Sequence, residues 1–184
     1  MQFYDVARKV VEGIYRLCFR IRIEGEENIP QSGTFVVCAN HKSNLDPPML
    51  GVCLPIRLRY MAKEELFHNR FFGKLIRALG AFPIRRGKSD VGALRAAVKM
   101  LKGGEWVAVF PEGGRSHDGH LRKGKQGAAL IAAMAGVDIL PVGISGEYKP
   151  FRKMTVRSGE PISMQQYAEK KPTSEDLQKI TDEQ

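Results

Sequence analysis

Three uninterrupted apolar runs of strand length punctuate this chain: Thr34-Phe-Val-Val-Cys-Ala39, Trp106-Val-Ala-Val-Phe110 and Ile139-Leu-Pro-Val-Gly-Ile144. Runs this short, with no polar alternation, fit strands buried on both faces. Such strands need helices above and below them, and parallel neighbours need helical crossovers. The stretches between the runs have helical periodicity. The expected fold class is therefore α/β, a largely parallel central sheet flanked by helices. At 184 residues and 20.5 kDa the chain suffices for one such domain. No repeat, low-complexity tract or linker divides it. The expected organisation is an amphipathic helix and first strand in residues 1–24, then a single domain in residues 25–184.

Around this frame the remaining elements follow from pattern. Arg20-Ile-Arg-Ile-Glu24 alternates like a strand, and residues 25–33 are turn-rich. A short helix is expected over 48–54, a strand over 57–61, and helical segments over 63–79 with a break near Asn69. Phe82-Pro-Ile84 reads as extended. Ser89 can cap a helix ended by Gly103-Gly104, and an alanine-rich helix is expected over 126–135. A further strand over 154–157 and terminal helices over 164–170 and 174–180 complete the chain.

Residues 3–20 are periodic at about 100° per residue. Phe3, Val6, Val10, Ile14 and Leu17, with Ala7, Val11, Tyr15 and Cys18, occupy roughly half the circumference. Arg8 falls with the other charges on the opposite side, and Phe19 is the one misfit. Such a helix can lie in a membrane interface, flanked by its cations, or cover its own domain's core. The pattern supports both. The longest apolar stretch, residues 127–137, is far short of the ~20 residues that span a bilayer. Arg8 and Lys9 interrupt any early apolar region, so no signal peptide is expected.

Charge and cysteine content narrow the setting. Twelve of the 29 Lys and Arg, against three of the 20 Asp and Glu, lie between Arg57 and Lys102, so this segment carries the whole net charge of +9. An anionic partner follows: a phosphate-bearing substrate, an acidic protein, nucleic acid or an anionic membrane surface. Cys18, Cys38 and Cys53 are scattered in apolar stretches, which points to reduced thiols and a cytoplasmic setting.

His41 and Asp46 stand five apart in Asn40-His41-Lys42-Ser43-Asn44-Leu45-Asp46-Pro47-Pro48. On one continuous helix they would point about 140° apart. Asp46-Pro47-Pro48 supplies the break, with Asp46 as a helix N-cap and proline in the first turn. His41 would then lie on a loop beside a carboxylate that orients it, the minimum set for deprotonating an alcohol. The second dense constellation is Phe110-Pro-Glu-Gly-Gly-Arg-Ser116. Gly113 and Gly114 allow close backbone approach, Arg115 offers a donor fork for phosphate, and Glu112 could hold that arginine or accept a substrate hydroxyl. Arg85-Arg86-Gly87 and Lys63 are further cationic candidates. Loops at the carboxyl ends of parallel strands can share one mouth.

Taken in order, His41-x4-Asp46, Lys63-Glu-Glu-Leu leading to Gly80-Ala-Phe-Pro-Ile-Arg-Arg86, Phe110-Pro-Glu-Gly-Gly-Arg-Ser116 and Ile139-Leu-Pro-Val142 resemble the 1-acyl-glycerol-3-phosphate acyltransferase family. The resemblance implies transfer of an acyl chain from a coenzyme A or acyl-carrier-protein thioester to the sn-2 hydroxyl of lysophosphatidate. Glycerol-3-phosphate or another lysophospholipid is the alternative acceptor. The resemblance implies His41 as general base, Asp46 as its partner and Arg86 and Arg115 on phosphate; the residues themselves offer Lys63 as a third phosphate-binding candidate. Pro141 would be structural, near an acyl groove. No cofactor beyond the thioester co-substrate is implied, and attachment to the inner face of the cell membrane is expected. Gly114 departs from the family's usual threonine.

Three rivals are weaker. Gly119-His-Leu-Arg-Lys-Gly124-Lys125 has a phosphate-loop spacing, but Gln126 replaces the magnesium-binding Ser or Thr. No recognition motif supports a nucleic-acid module, so no nucleic-acid partner is expected. His117, Asp118 and His120 lack clear further ligands, so no metal site is expected.

Overall fold

In a computed structural model, residues 3–84, 91–116, 121–167 and 172–183 are described. The chain opens with helix α1 (Phe3–Cys18) and continues through β1 (Arg20–Glu24), β2 (Phe35–Ala39), α2 (Asp46–Cys53) and β3 (Leu58–Lys63). Next come α3 (Arg70–Ala78), β4 (Ala81–Ile84), α4 (Val91–Lys102), β5 (Trp106–Val109) and α5 (Gly127–Ala135). The last elements are β6 (Asp138–Gly146), β7 (Lys153–Ser158) and α6 (Ser174–Asp182). The seven strands form one sheet in the order β1-β7-β6-β2-β5-β3-β4. All pairings are parallel except β6 with β7, so β7 and β1 run against the other five.

The three apolar runs became the three central strands, as two-sided burial requires. β2 is buried at all five positions. Its alternate residues feed two cores: Val37 and Ala39 pack beneath α1 and α2, whereas Val36 and Cys38 pack against α4, α5 and α6. Fully buried Met49, Leu50, Leu140 and Met154 fill the first layer, and Leu101 and Ile139 the second. Each such side chain contributes about 1.5–3 kcal/mol of transfer free energy.

Local chemistry sets several ends. Asn69 caps α3, its side chain accepting from the Phe71 and Phe72 N–H groups, which explains the break expected there. Thr173 and Asp176 form a capping box on α6. Gly136, at φ 69°, closes α5. Of the helix expected over 164–170, the described residues contain a three-residue turn, Gln165–Tyr167. Residues 168–171, and Ser89 as a cap, lie outside the described residues.

Helix α1 departs from its projected faces. Tyr15 is buried, Tyr4 likewise, and Val11 packs on the first core. Val6, Val10, Ile14 and Leu17 point outward, Leu17 with 75% exposure. The side chain of Phe3 lies outside the described residues. Arg8 is not on a solvent face. Its guanidinium donates to the Gly51 and Leu54 carbonyls at 2.9 Å each, satisfying orphan acceptors at the C-terminal end of α2. Phe19 falls outside the periodicity because it follows the helix, in contact with Tyr15 and Tyr148. Among the described residues no helix is long and apolar enough to cross a membrane.

Leu101→Ala should lower unfolding free energy by about 2–5 kcal/mol, because this α4 side chain is fully buried in the second core layer. Urea denaturation measures it. A loss under 1 kcal/mol would show that the second layer is loosely packed.

Candidate active site

The carboxyl ends of the parallel strands gather the chemistry-bearing residues. His41 follows β2, Lys63 ends β3, the loop 110–116 follows β5, and Tyr148 follows β6. Arg86 follows β4 and lies outside the described residues.

Asp46 is the fixed point. It is wholly buried and opens α2, but its side chain does not cap the helix. The expectation of an N-cap fails because Leu45 takes that position and the carboxylate turns back over the preceding loop. Oδ2 accepts the Lys42 and Ser43 N–H groups, both at 2.7 Å, and pairs with His41 Nδ1 at 2.9 Å. Oδ1 accepts the Tyr148 hydroxyl at 2.7 Å. Burial pushes this carboxyl up, but the bonds from His41, the Ser43 N–H, Tyr148 and the Lys42 N–H outweigh it and hold the group below its ordinary value of 3.8. An ionised Asp46 fixes the imidazole tautomer: Nδ1 carries the proton and Nε2 keeps its lone pair. Nε2 has no partner among the described residues.

The second constellation positions His41 through its backbone. The Glu112 carboxylate accepts the His41 N–H at 2.7 Å and the Arg122 N–H at 3.2 Å. The Ser116 N–H donates to the His41 carbonyl at 2.8 Å. Among the described residues Glu112 is not paired with Arg115; its two oxygens accept backbone N–H groups instead. Phe110 stacks on the imidazole with ring centroids 4.2 Å apart. Asn40 clamps the same loop to β6, accepting from the Ile144 N–H at 2.6 Å and donating to the Ile144 carbonyl at 3.0 Å. Gly113, at φ 67°, makes the turn that an L side chain would strain. A Cβ on Gly114 would have Arg122 Nη1 as its nearest neighbour, at 3.4 Å.

His41, Asn44, Lys63 and Arg115 border one cavity of about 620 Å³. Its body is apolar, walled by Val11 of α1, Val52 of α2, Met61 of β3 and Leu75 of α3. That volume and largely apolar lining suit an organic ligand, with Arg8, Lys63 and Arg115 as the charged members of the wall. Pro141 is not part of this cavity. It registers with Cys38, so it faces the α4 and α5 side of the sheet, its ring against Gly159.

Covalent thiol chemistry has no support. Cys38 and Cys53 are buried and burial pushes both thiols up, Cys53 to about 12. Among the described residues no group of His, Cys, Asp and Glu could hold a metal ion; His117, Asp118 and His120 lie outside them. Of the phosphate-loop candidate, Gly119 and His120 also lie outside. Lys125 is held in the neighbouring loop, its N–H on the Pro111 carbonyl.

Pattern reading missed Tyr148 and Phe110 as site residues. Phe110 was visible as the end of a core run. Tyr148 carried no local signal, since its partner lies 102 residues away.

Comparison with known proteins agrees with this geometry. Residues 20–145 match the acyltransferase family. The chain is 32% identical to the 1-acyl-sn-glycerol-3-phosphate acyltransferase of Bacillus subtilis, over 97% of this chain and 92% of that one. Its counterpart from Streptococcus pneumoniae is 39% identical over 65% of this chain and 45% of its own length. The human alpha form is 33% identical over 74% and 48%. The chain thus spans nearly all of the Bacillus relative but less than half of the other two. The crystal structure of the 1-acyl-sn-glycerophosphate acyltransferase PlsC from Thermotoga maritima superimposes with a TM-score of 0.75, at 29% identity, covering 98% of this chain and 77% of that one. On its sequence matches, the chain belongs to the family of 1-acyl-sn-glycerol-3-phosphate acyltransferases.

Proposed function

We propose that this acyltransferase moves a fatty acyl group from a thioester of coenzyme A or acyl-carrier protein to the sn-2 hydroxyl of 1-acyl-glycerol-3-phosphate, giving phosphatidic acid. The observation that carries the reading is His41 Nε2, without a partner among the described residues, at a largely apolar cavity whose lining includes Lys63 and Arg115.

The acceptor's phosphate sits against Arg115 and Lys63, with Arg86 as a further cation. Its sn-2 hydroxyl then faces His41. Nε2 takes the hydroxyl proton as the oxygen attacks the thioester carbonyl, and a tetrahedral oxyanion forms. Collapse of that oxyanion breaks the carbon–sulfur bond, and the departing thiolate takes the proton back from the imidazolium. Asp46 stabilises the imidazolium between these two transfers, at a site where burial strengthens the interaction. No covalent acyl-enzyme is required.

The outward stripe of α1 suits the second part of the reading, attachment to an anionic membrane surface. Val6, Val10, Ile14 and Leu17 form one exposed line, while Arg8 and Val11 remain tied to the protein.

Three measurements test these assignments. His41→Ala should cut kcat by about 10³-fold with the circular dichroism spectrum unchanged; substantial retained turnover removes His41 as base. Arg115→Ala should raise KM for lysophosphatidate by about 10- to 100-fold, the worth of one charge-assisted hydrogen bond. An assay across glycerol-3-phosphate, lysophosphatidate and a neutral lysolipid reads it directly, and a defect confined to the thioester would reassign the residue to the donor. Replacing Val10, Ile14 and Leu17 together with serine should abolish co-sedimentation with phosphatidylglycerol vesicles while sparing turnover of a short-chain soluble acceptor. Equal co-sedimentation would show that the stripe does not meet lipid.

A further inference from the structure

We propose that Tyr148 is a positioning residue for the dyad, its hydroxyl holding Oδ1 of Asp46 and setting how strongly that carboxylate draws on the imidazole. The inference rests on His41 acting as the base.

The two oxygens of Asp46 are served differently. Oδ2 takes three donors from one short segment, the Lys42 and Ser43 N–H groups and His41 Nδ1. Oδ1 takes its bond from Tyr148. Without that hydroxyl, a fully buried carboxylate oxygen loses its partner, while the Lys42 and Ser43 N–H groups still hold Oδ2 against Nδ1.

The turn carrying Tyr148 is built to hold it. Gly146 leaves β6 at φ 105°, where a Cβ would stand 2.3 Å from the Lys153 carbonyl oxygen. Phe151 closes the turn at φ 61°, a conformation that a bulky side chain rarely adopts. Phe151 is itself largely exposed, so its own packing does not account for that strain. Its N–H donates to the Cys18 carbonyl at 2.6 Å, pinning the turn to the end of α1. The Tyr148 ring meets Phe19 edge-on at 5.5 Å, and Phe19 meets Tyr15 at 5.7 Å. Lys42 spans both parts, donating to the Gly146 carbonyl with its ammonium 5.5 Å from the Tyr148 ring.

The surrounding titratable groups leave the assignment to Tyr148. Tyr15 donates to the Leu45 carbonyl, Glu112 accepts the His41 N–H, and Glu147 pairs with Lys149 beside Lys42. Arg115 borders the cavity, and Cys18 and Cys53 act on the neighbouring tyrosines only through space. Burial, then the charge of Asp46, pushes the Tyr148 phenol far up, so it remains a donor at every working pH.

A hydroxyl on Oδ1 draws charge away from Oδ2. Deleting it concentrates that charge toward Nδ1 and favours the protonated imidazole. Tyr148→Phe keeps the ring and removes only the donor. In the pH profile of kcat/KM for lysophosphatidate, the acidic limb should move up by about half to one pH unit. The value of kcat should fall about 10-fold, with both KM values within twofold. Site-specific 3-fluorotyrosine at position 148, a stronger donor, should move the limb the other way and serves if Tyr148→Phe fails to fold. A lower melting temperature and lower rate with an unmoved limb would mark a merely structural residue and overturn the proposal. His41→Ala separates the two readings. Inactive His41→Ala with an unmoved limb in the tyrosine variants sinks Tyr148 alone, whereas active His41→Ala sinks the base.

Discussion

A carboxylate with no exposed surface has to be surrounded by donors, and Asp46 imposes that requirement on everything near it. Leaving such an ion unpaired costs several kcal/mol, a large fraction of a domain's stability. Four donors meet the demand, from residues 41–43 on one side and Tyr148 on the other. Glu112 is likewise buried, bonded to the N–H groups of His41 and Arg122. The two carboxylates hold the His41 segment together, one through its side chain and following amides, the other through its own N–H. Loops ordinarily move more than the elements they connect. This one is held by charge-assisted bonds at 2.7–2.9 Å.

The sheet makes that grip possible. Strands β6, β2 and β5 lie side by side and parallel, so their following loops leave from the same edge. β6 continues past Val142, its register partner to Ala39 at the end of β2, by four more residues to Gly146. That overshoot leads into the turn whose Tyr148 hydroxyl reaches Asp46 Oδ1. The antiparallel return through β7 then leaves β1 and α1 against the same turn.

Much of this was legible because the signals are local. Apolar runs gave the central strands, and Asp46-Pro47-Pro48 marked where a loop becomes a helix. What was not legible was long-range pairing. Asp before Pro looks the same in sequence whether its carboxylate caps the helix or bends back over the loop, and only the donors of residues 42, 43 and 148 decide. Glu112 was read as a neighbour of Arg115 because they are three residues apart, yet its partner is 71 residues upstream. Arg8 was assigned to solvent by its charge, although a long side chain can carry its head group to carbonyls at another helix's end. Pro141 was placed near the ligand by association with its block, but period-two alternation puts it on the other side of the sheet.

Helix α1 carries two apolar faces on one periodicity. The pattern fitted a core cover and a lipid-facing stripe equally well; in the structure one side packs on the domain and the other leaves apolar residues exposed. Tyr4, Arg8 and Val11 border the cavity, while Val6, Val10, Ile14 and Leu17 face away from the protein. Arg8 fastens this helix to the C-terminal end of α2, whose first residue is Asp46. A helix with its side chains is about 10–12 Å across. A lysolipid lying along the outer stripe would therefore be separated by a single helix from the cavity that His41 borders. On the proposed reading its phosphate meets Arg115 and Lys63, and its chain meets the apolar lining that includes Val11, Val52, Met61 and Leu75.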